Sequence, residues 1–197
     1  MQPPINPNLL TALRLPLAPL AIAFLVTGTV WGTIVAAVLA LVLEITDLAD
    51  GIIARRYGSV TTFGKLFDPF SDAFSRYTLF LGLYAVGVAD LWMIVAIFYR
   101  DSSVSFFRSV GATRNIVIAA RKSGKIKAIV QGVGTQIVFL ALVAIQYLPE
   151  VSFLQAIPWW TMLFITLVTI ASFVDYFVGS LPMLRDAWAN RPAEDTA

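Results

Sequence analysis

Apolar residues fall into six runs along the chain, separated by short polar stretches. The first covers residues 9–26; Pro16 and Pro19 predict a bend in it and the Thr27-Gly28-Thr29 turn ends it. The second spans 30–57 but is apolar only as far as Leu43, and the third, 62–88, mirrors it with its polar end first. The fourth, 91–113, begins apolar and changes at Arg100 to RDSSVSFFR, ending on Arg108. A basic loop, 114–127, precedes the fifth run, 128–148, whose strongly polar groups are glutamines only. A connection from Pro149 to Pro158 leads to the sixth, 159–184, with Asp175 near its far end. Each run suits a helix crossing a hydrocarbon core of about 30 Å. The pattern predicts an all-α membrane protein with six transmembrane helices and a short N-terminal interfacial segment. Residues 1–186 read as one transmembrane domain and 187–197 as a flexible C-terminal tail.

Composition agrees, with 58% hydrophobic and 13% charged residues and a mean hydropathy of +0.80. The placement of charge orients the helices. Arg14, the segment around Arg55, Arg56 and Lys65, the 114–127 loop, and Arg185 and Arg191 share one side, whereas the opposite loops carry only Asp90 and Glu150. The positive-inside rule then puts both termini and the aspartate-bearing ends on the cytoplasmic side; the membrane expected is a bacterial-type inner or cell membrane. Trp31, Trp92, Trp159 and Trp160 fall where the opposite interface would lie, as an aromatic belt requires. The partner implied is a lipid bilayer and not nucleic acid. Cysteine and histidine are absent, which excludes a thiol nucleophile, a disulfide framework, an imidazole base and a Cys/His zinc site. The N-terminus lacks the basic n-region and cleavage site of a signal peptide.

Chemistry concentrates in residues 47–72. On a helix, Asp47, Asp50, Gly51 and Ala54 form one stripe at i, i+3, i+4 and i+7, and Gly64, Asp68 and Asp72 form another at i, i+4 and i+8. With Gly58 and Ser59 as the turn, the stripes are expected to face each other across an antiparallel helix pair and bring four carboxylates together. Such a cluster needs a counter-charge in a low dielectric, and hard divalent cations with oxygen ligands supply one. At about 1.5 Å per residue, Asp47 lies roughly 25 Å from the start of its helix, near one face of the bilayer. Three simpler uses of such acids compete: inter-helix salt bridges, a divalent-cation transport site and a structural scaffold. A transport site belongs near the midplane, and a scaffold does not explain acids aligned with Gly51, Gly64 and Arg55.

The pattern Asp47-x-x-Asp50-Gly51-x-x-Ala54-Arg55, eight residues, Gly64-x-x-x-Asp68-x-x-x-Asp72 resembles the signature of the CDP-alcohol phosphotransferase family at each of its eight fixed positions. Four other segments resemble that family's phosphatidylglycerophosphate synthase branch: Pro7-Asn8-Leu9-Leu10-Thr11 with Arg14, Arg100 with Arg108, Ser123-Gly124-Lys125-Ile126-Lys127, and Asp175-Tyr176-Phe177. Asp101 and Ala128 stand where that branch has Glu and Thr, and Glu44 and Arg76 are unusual additions. The resemblance implies transfer of a phosphatidyl group from CDP-diacylglycerol to a small polar alcohol with release of CMP. Asp47, Asp50, Asp68 and Asp72 would hold two Mg²⁺ or Mn²⁺ ions, and Asp72 would also act as the base. Asn8, Thr11, Gly51, Arg55, Thr61 and Gly64 would surround the cytidine diphosphate with the metal-binding Asp47, Asp50 and Asp68. Arg100, Arg108, Lys125 and Lys127 would take an acceptor phosphate, which favours sn-glycerol 3-phosphate; inositol 1-phosphate, phosphatidylglycerol and serine are the alternatives. Arg114, Arg121 and Lys122 fit the positive-inside rule and lipid headgroups. Asp101 is expected to pair with a neighbouring arginine, and Asp175 to orient a basic side chain. A homodimer and a cytoplasmic active site complete the expectation.

Overall fold

The computed structural model describes residues 7–57, 61–114, 116 and 121–189, without the side chains of Pro7, Asp50, Ala54, Arg55, Thr62 and Lys65. The turn expected at Gly58 and Ser59 and the tail from 190 onwards lie outside these residues. The described residues form six helices and no strand: α1 (Pro7–Leu25), α2 (Val30–Arg56), α3 (Thr62–Ala85), α4 (Leu91–Thr113), α5 (Lys122–Tyr147) and α6 (Ser152–Trp188).

Local chemistry sets the helix ends. Pro7 opens α1, where its missing N–H forgoes no intrahelical bond. Asn8 and Thr11 sit on the first turns of α1, which runs on as one helix through Pro16 and Pro19. Gly28 takes the left-handed conformation after α1 (φ 65°). Thr29 then caps α2, its hydroxyl accepting the Gly32 N–H at 3.0 Å. Gly87 (φ 75°) turns the chain after α3. Two boundaries differ from expectation. Helix α5 begins at Lys122, so the SGKIK segment is helical and not part of a loop; the Arg121 N–H donates to the buried Tyr176 hydroxyl at 3.0 Å, anchoring this start on α6. Helix α6 begins at Ser152, ahead of Pro158, and continues through Trp188, past the expected domain end at 186.

Helices α1, α2, α5 and α6 each contain a segment long and apolar enough to span a bilayer. Large apolar side chains such as Leu140, Phe164 and Leu167 face outward, where hydrocarbon and not water is their solvent. The chain is an integral membrane protein. Helices α3 and α4 are interrupted by the aspartates and by the polar run from Arg100.

Helix α1 packs against both α2 and α3, which touch each other only slightly; α5 packs on α2 and α6, and α4 on α6. The expected α2–α3 pair is therefore corrected: α1 mediates between them. Small residues make this possible, because close backbone approach drives association between helices that are equally at home in lipid. Ala18 and Ala21 of α1 and Ala36 and Ala40 of α2 are all buried. On the other side of α1, a Cβ at Gly82 would lie 2.7 Å from Ile22 Cγ1. Ser71 and Ser75 of α3 donate to the Thr11 and Arg14 carbonyls at 2.7 and 3.2 Å. Gln136 Nε2 donates to the Ala40 carbonyl at 3.1 Å, joining α5 to α2. At the far end, Trp159 Nε1 donates to Asp90 at 3.0 Å.

The close approach of α3 to α1 at Gly82 gives a stability prediction. Gly82→Leu overpacks the contact with Ile22 and should cost about 1–3 kcal/mol, read as a lowered Tm of the detergent-purified protein; an unchanged Tm would show that α1 and α3 separate freely there.

Candidate active site

Two buried arginines organise the aspartates. Arg14 of α1 is only 1% exposed. Its Nη1 pairs with Asp47 Oδ1 of α2 and its Nη2 with Asp68 Oδ1 of α3 at 2.6 Å. Arg76 Nη2 pairs with Asp72 Oδ1 at 2.7 Å, one turn away on α3, and its Nη1 lies 3.8 Å from Glu44 Oε2 of α2. Asp47 lies within electrostatic reach of both Asp68 and Asp72, with the arginines set among them; among the described side chains no three acids form a ready cage. A carboxylate withdrawn from water needs an opposite charge close by, and each arginine supplies one to two acids. The side chains of Asp50 and Arg55 lie outside the described ones, and Gly51 follows Asp47 by one helical turn.

The sequence groups Arg14 with the basic residues of one membrane side; the structure adds that it is buried at the junction of three helices. A signal existed, since an arginine inside an apolar run requires a partner. Between the arginines lies a cavity of about 20 Å³ bordered by Glu44, Asp47, Asp72, Ser75, Thr135 and Gln136 as well. That is room for about one water.

Three of the expected nucleotide-contacting residues meet at the polar end of α3. Thr61 caps α3, accepting the Gly64 N–H at 2.9 Å. Asn8 Nδ2 donates to the same hydroxyl at 3.4 Å. A Cβ at Gly64 would lie 2.8 Å from Asn8 Oδ1, so only glycine leaves the amide this room. Thr11, one turn along α1, is buried and its carbonyl binds Ser71.

The basic residues gather on α4, α5 and α6 around Tyr176. Arg100 Nη1 pairs with Asp101 at 2.6 Å and its Nη2 donates to the Ser172 hydroxyl at 2.7 Å. Its guanidinium carbon lies 5.2 Å from the Tyr176 ring centroid. Arg108 Nη2 donates to the Tyr176 hydroxyl at 3.3 Å. Lys127 Nζ pairs with Asp101 at 2.8 Å. Arg100, Arg108 and Lys127 are thus brought together with a single acid, Asp101, among them, while Lys125 is exposed on another face of α5. A Cβ at Gly124 would lie 2.9 Å from the Tyr176 hydroxyl, so this glycine lets the first turn of α5 lie on the ring.

Asp101 pairs with an arginine as expected. Asp175 holds Arg121 at 2.6 Å and accepts from Ser123, so Arg121, assigned to headgroups, is tied to α6. Arg114 donates to the Asp186 carbonyl at 3.0 Å. Lys127 lies within electrostatic reach of Asp72, which links the acidic and basic halves.

The profile of the CDP-alcohol phosphatidyltransferase family matches residues 4–171. A Bacillus subtilis (strain 168) protein named CDP-diacylglycerol--glycerol-3-phosphate 3-phosphatidyltransferase is 30% identical over 178 residues, 83% of this chain and 90% of that protein. A Mycobacterium tuberculosis (strain ATCC 25618 / H37Rv) protein named "Probable phosphatidylglycerophosphate synthase" is 31% identical over 183 residues, 88% and 80% of the two chains. A Treponema pallidum (strain Nichols) protein with the same name as the Bacillus one is 34% identical over 95 residues, 48% of this chain and 44% of that protein, so this match spans less than half of either. With the profile covering most of its length, the chain belongs to the CDP-alcohol phosphatidyltransferase family.

Proposed function

We propose that this chain transfers the phosphatidyl group of CDP-diacylglycerol to sn-glycerol 3-phosphate, forming phosphatidylglycerophosphate and releasing CMP. The observation that carries the reading is the pairing of an aspartate half on α1–α3 with a cationic cluster, Arg100, Arg108 and Lys127, around Tyr176. The names of the Bacillus and Treponema relatives support the same donor and acceptor.

The donor's cytidine diphosphate is assigned to Asn8, Thr11, Gly51, Arg55, Thr61 and Gly64 at the polar ends of α1, α2 and α3. The acceptor's phosphate is assigned to Arg100, Arg108 and Lys127, with exposed Lys125 at the approach; arginine forks and a lysine charge suit that group. Its free hydroxyl then points towards Asp72, which takes the proton as the oxygen attacks the phosphatidyl phosphorus and the bond to CMP breaks. Asp47 and Asp68 reach from separate helices to a single cationic group, Arg14. This hard-oxygen donor set fits a divalent cation. Asp47, Asp50, Asp68 and Asp72 would hold two Mg²⁺ or Mn²⁺ ions, which supply charge neutralisation at the diphosphate.

The same proposal has all six helices crossing the membrane, with 1–186 as the catalytic domain and the remainder as a tail. Both termini and the site face the cytoplasm, within reach of a water-soluble acceptor, and the chain works as a homodimer. Exposed Trp31, Trp92 and Trp160 in the first turns of α2, α4 and α6 fit a membrane interface at that end, and the basic residues at the other end support its cytoplasmic orientation.

Three outcomes test the reading. Purified protein with Mg²⁺ and CDP-diacylglycerol should release CMP at least tenfold faster with sn-glycerol 3-phosphate than with inositol 1-phosphate, phosphatidylglycerol or serine; no release with any acceptor rejects it. Asp72→Asn should lower kcat by about 10²–10⁴-fold while CDP-diacylglycerol binding persists, and near-normal turnover would remove Asp72 as the base. Arg100→Met should raise KM for glycerol 3-phosphate by about 10- to 100-fold, the worth of a charge-assisted contact; an unchanged KM would place the acceptor elsewhere.

A further inference from the structure

Glu44 and Arg76 extend the two acidic stripes by one helical turn towards the apolar ends of α2 and α3. A charged pair there is costly, and the reaction proposed above assigns it no part. Its geometry is directed at Asp72. Arg76, 11% exposed, holds Asp72 Oδ1 at 2.7 Å, while Asp72 keeps 39% of its side chain exposed. One carboxylate oxygen is therefore fixed from the membrane side and Oδ2 is left outside that bond. Across the small cavity, Nη1 of the same guanidinium faces Glu44 at 3.8 Å. Glu44 in turn is seated against Gly132 of α5: a Cβ there would come 2.1 Å from Oε1. The glycine thus makes the room in which the glutamate balances the arginine.

We propose that Arg76 is a positioning residue for Asp72, and that Glu44, seated over Gly132, holds Arg76 in the orientation that does so. The inference rests on the reading of Asp72 as the base for the acceptor hydroxyl. A planar guanidinium that contacts one carboxylate oxygen along a fixed direction restricts rotation of the carboxylate, so the other oxygen is presented in one direction. Without Glu44 as the second anchor, the long Arg76 side chain would regain rotamer freedom and the direction of Asp72 with it. The i,i+4 spacing of Asp72 and Arg76 sets the pair on one face of α3, and Glu44 ties that face to α2, which α3 otherwise scarcely touches.

The test uses the full chain in nanodiscs, assayed for CMP release with CDP-diacylglycerol, glycerol 3-phosphate and Mg²⁺, with rates normalised to folded protein. Arg76→Met should lower kcat at least tenfold with KM for CDP-diacylglycerol within twofold of wild type, and Arg76→Lys should restore kcat to within threefold. Glu44→Gln and Gly132→Ala, which displaces only the flexible end of Glu44, should each lower kcat three- to tenfold. A purely structural pair would lower Tm and leave kcat per folded molecule unchanged. The inference is overturned if Arg76→Met keeps kcat within twofold, or if Arg76→Lys recovers nothing while remaining folded. If Arg76→Met fails to fold, Gly132→Ala decides, and wild-type kcat there overturns the role of Glu44 and with it the proposal. A wild-type protein that releases no CMP with any acceptor rejects the proposed reaction itself, which separates that failure from this one.

Discussion

Arg14 carries its charge to the junction of three helices, where almost none of it is left to solvent and two carboxylates from different helices close on it. Removing either acid would leave a buried cation partly uncompensated, and removing the arginine would leave two acids facing each other in a poor solvent for charge. The arrangement of α1, α2 and α3 follows from that constraint. Helix α1 lies against both partners, its alanines allow close approach to α2, and serines of α3 bind its carbonyls. The polar ends of three apolar helices are thereby held at one place in the bundle.

The second half of the site obeys the same rule with different residues. Arg100 and Lys127 share Asp101, Arg100 lies over Tyr176, and Arg108 bonds the tyrosine hydroxyl. Here cations outnumber acids, whereas acids outnumber cations beside Arg14 and Arg76. In the reaction proposed above, these opposite imbalances would receive a diphosphate with its cations on one side and an acceptor phosphate on the other. The glycines serve this division locally: Gly64 admits Asn8, Gly124 admits Tyr176 and Gly132 admits Glu44.

Much of the fold was legible in hydrophobic runs alone, because a helix in lipid must satisfy its own backbone bonds and so declares itself by length and apolarity. All six helices appear where those runs lie. The boundaries that differed did so for tertiary reasons: α5 starts at Lys122 because Tyr176 of another helix receives the Arg121 N–H, and no local pattern encodes that. The aspartates announced themselves by helical spacing, and Asn8, Thr61 and Gly64 by resemblance, and the structure brings the latter three together.

Arg14 and Arg76 show where sequence reasoning stops. The sequence by itself determined the helices, the stripes on which Asp47, Asp68 and Asp72 lie, and the family, since each depends on spacing within one segment. Only the tertiary structure decided that α1 comes between α2 and α3, and that Arg14 pairs with Asp47 and Asp68 while Arg76 pairs with Asp72 and faces Glu44. Which charge neutralises which is a matter of distance across helices, and in a low-dielectric interior that distance outweighs any preference written along the chain.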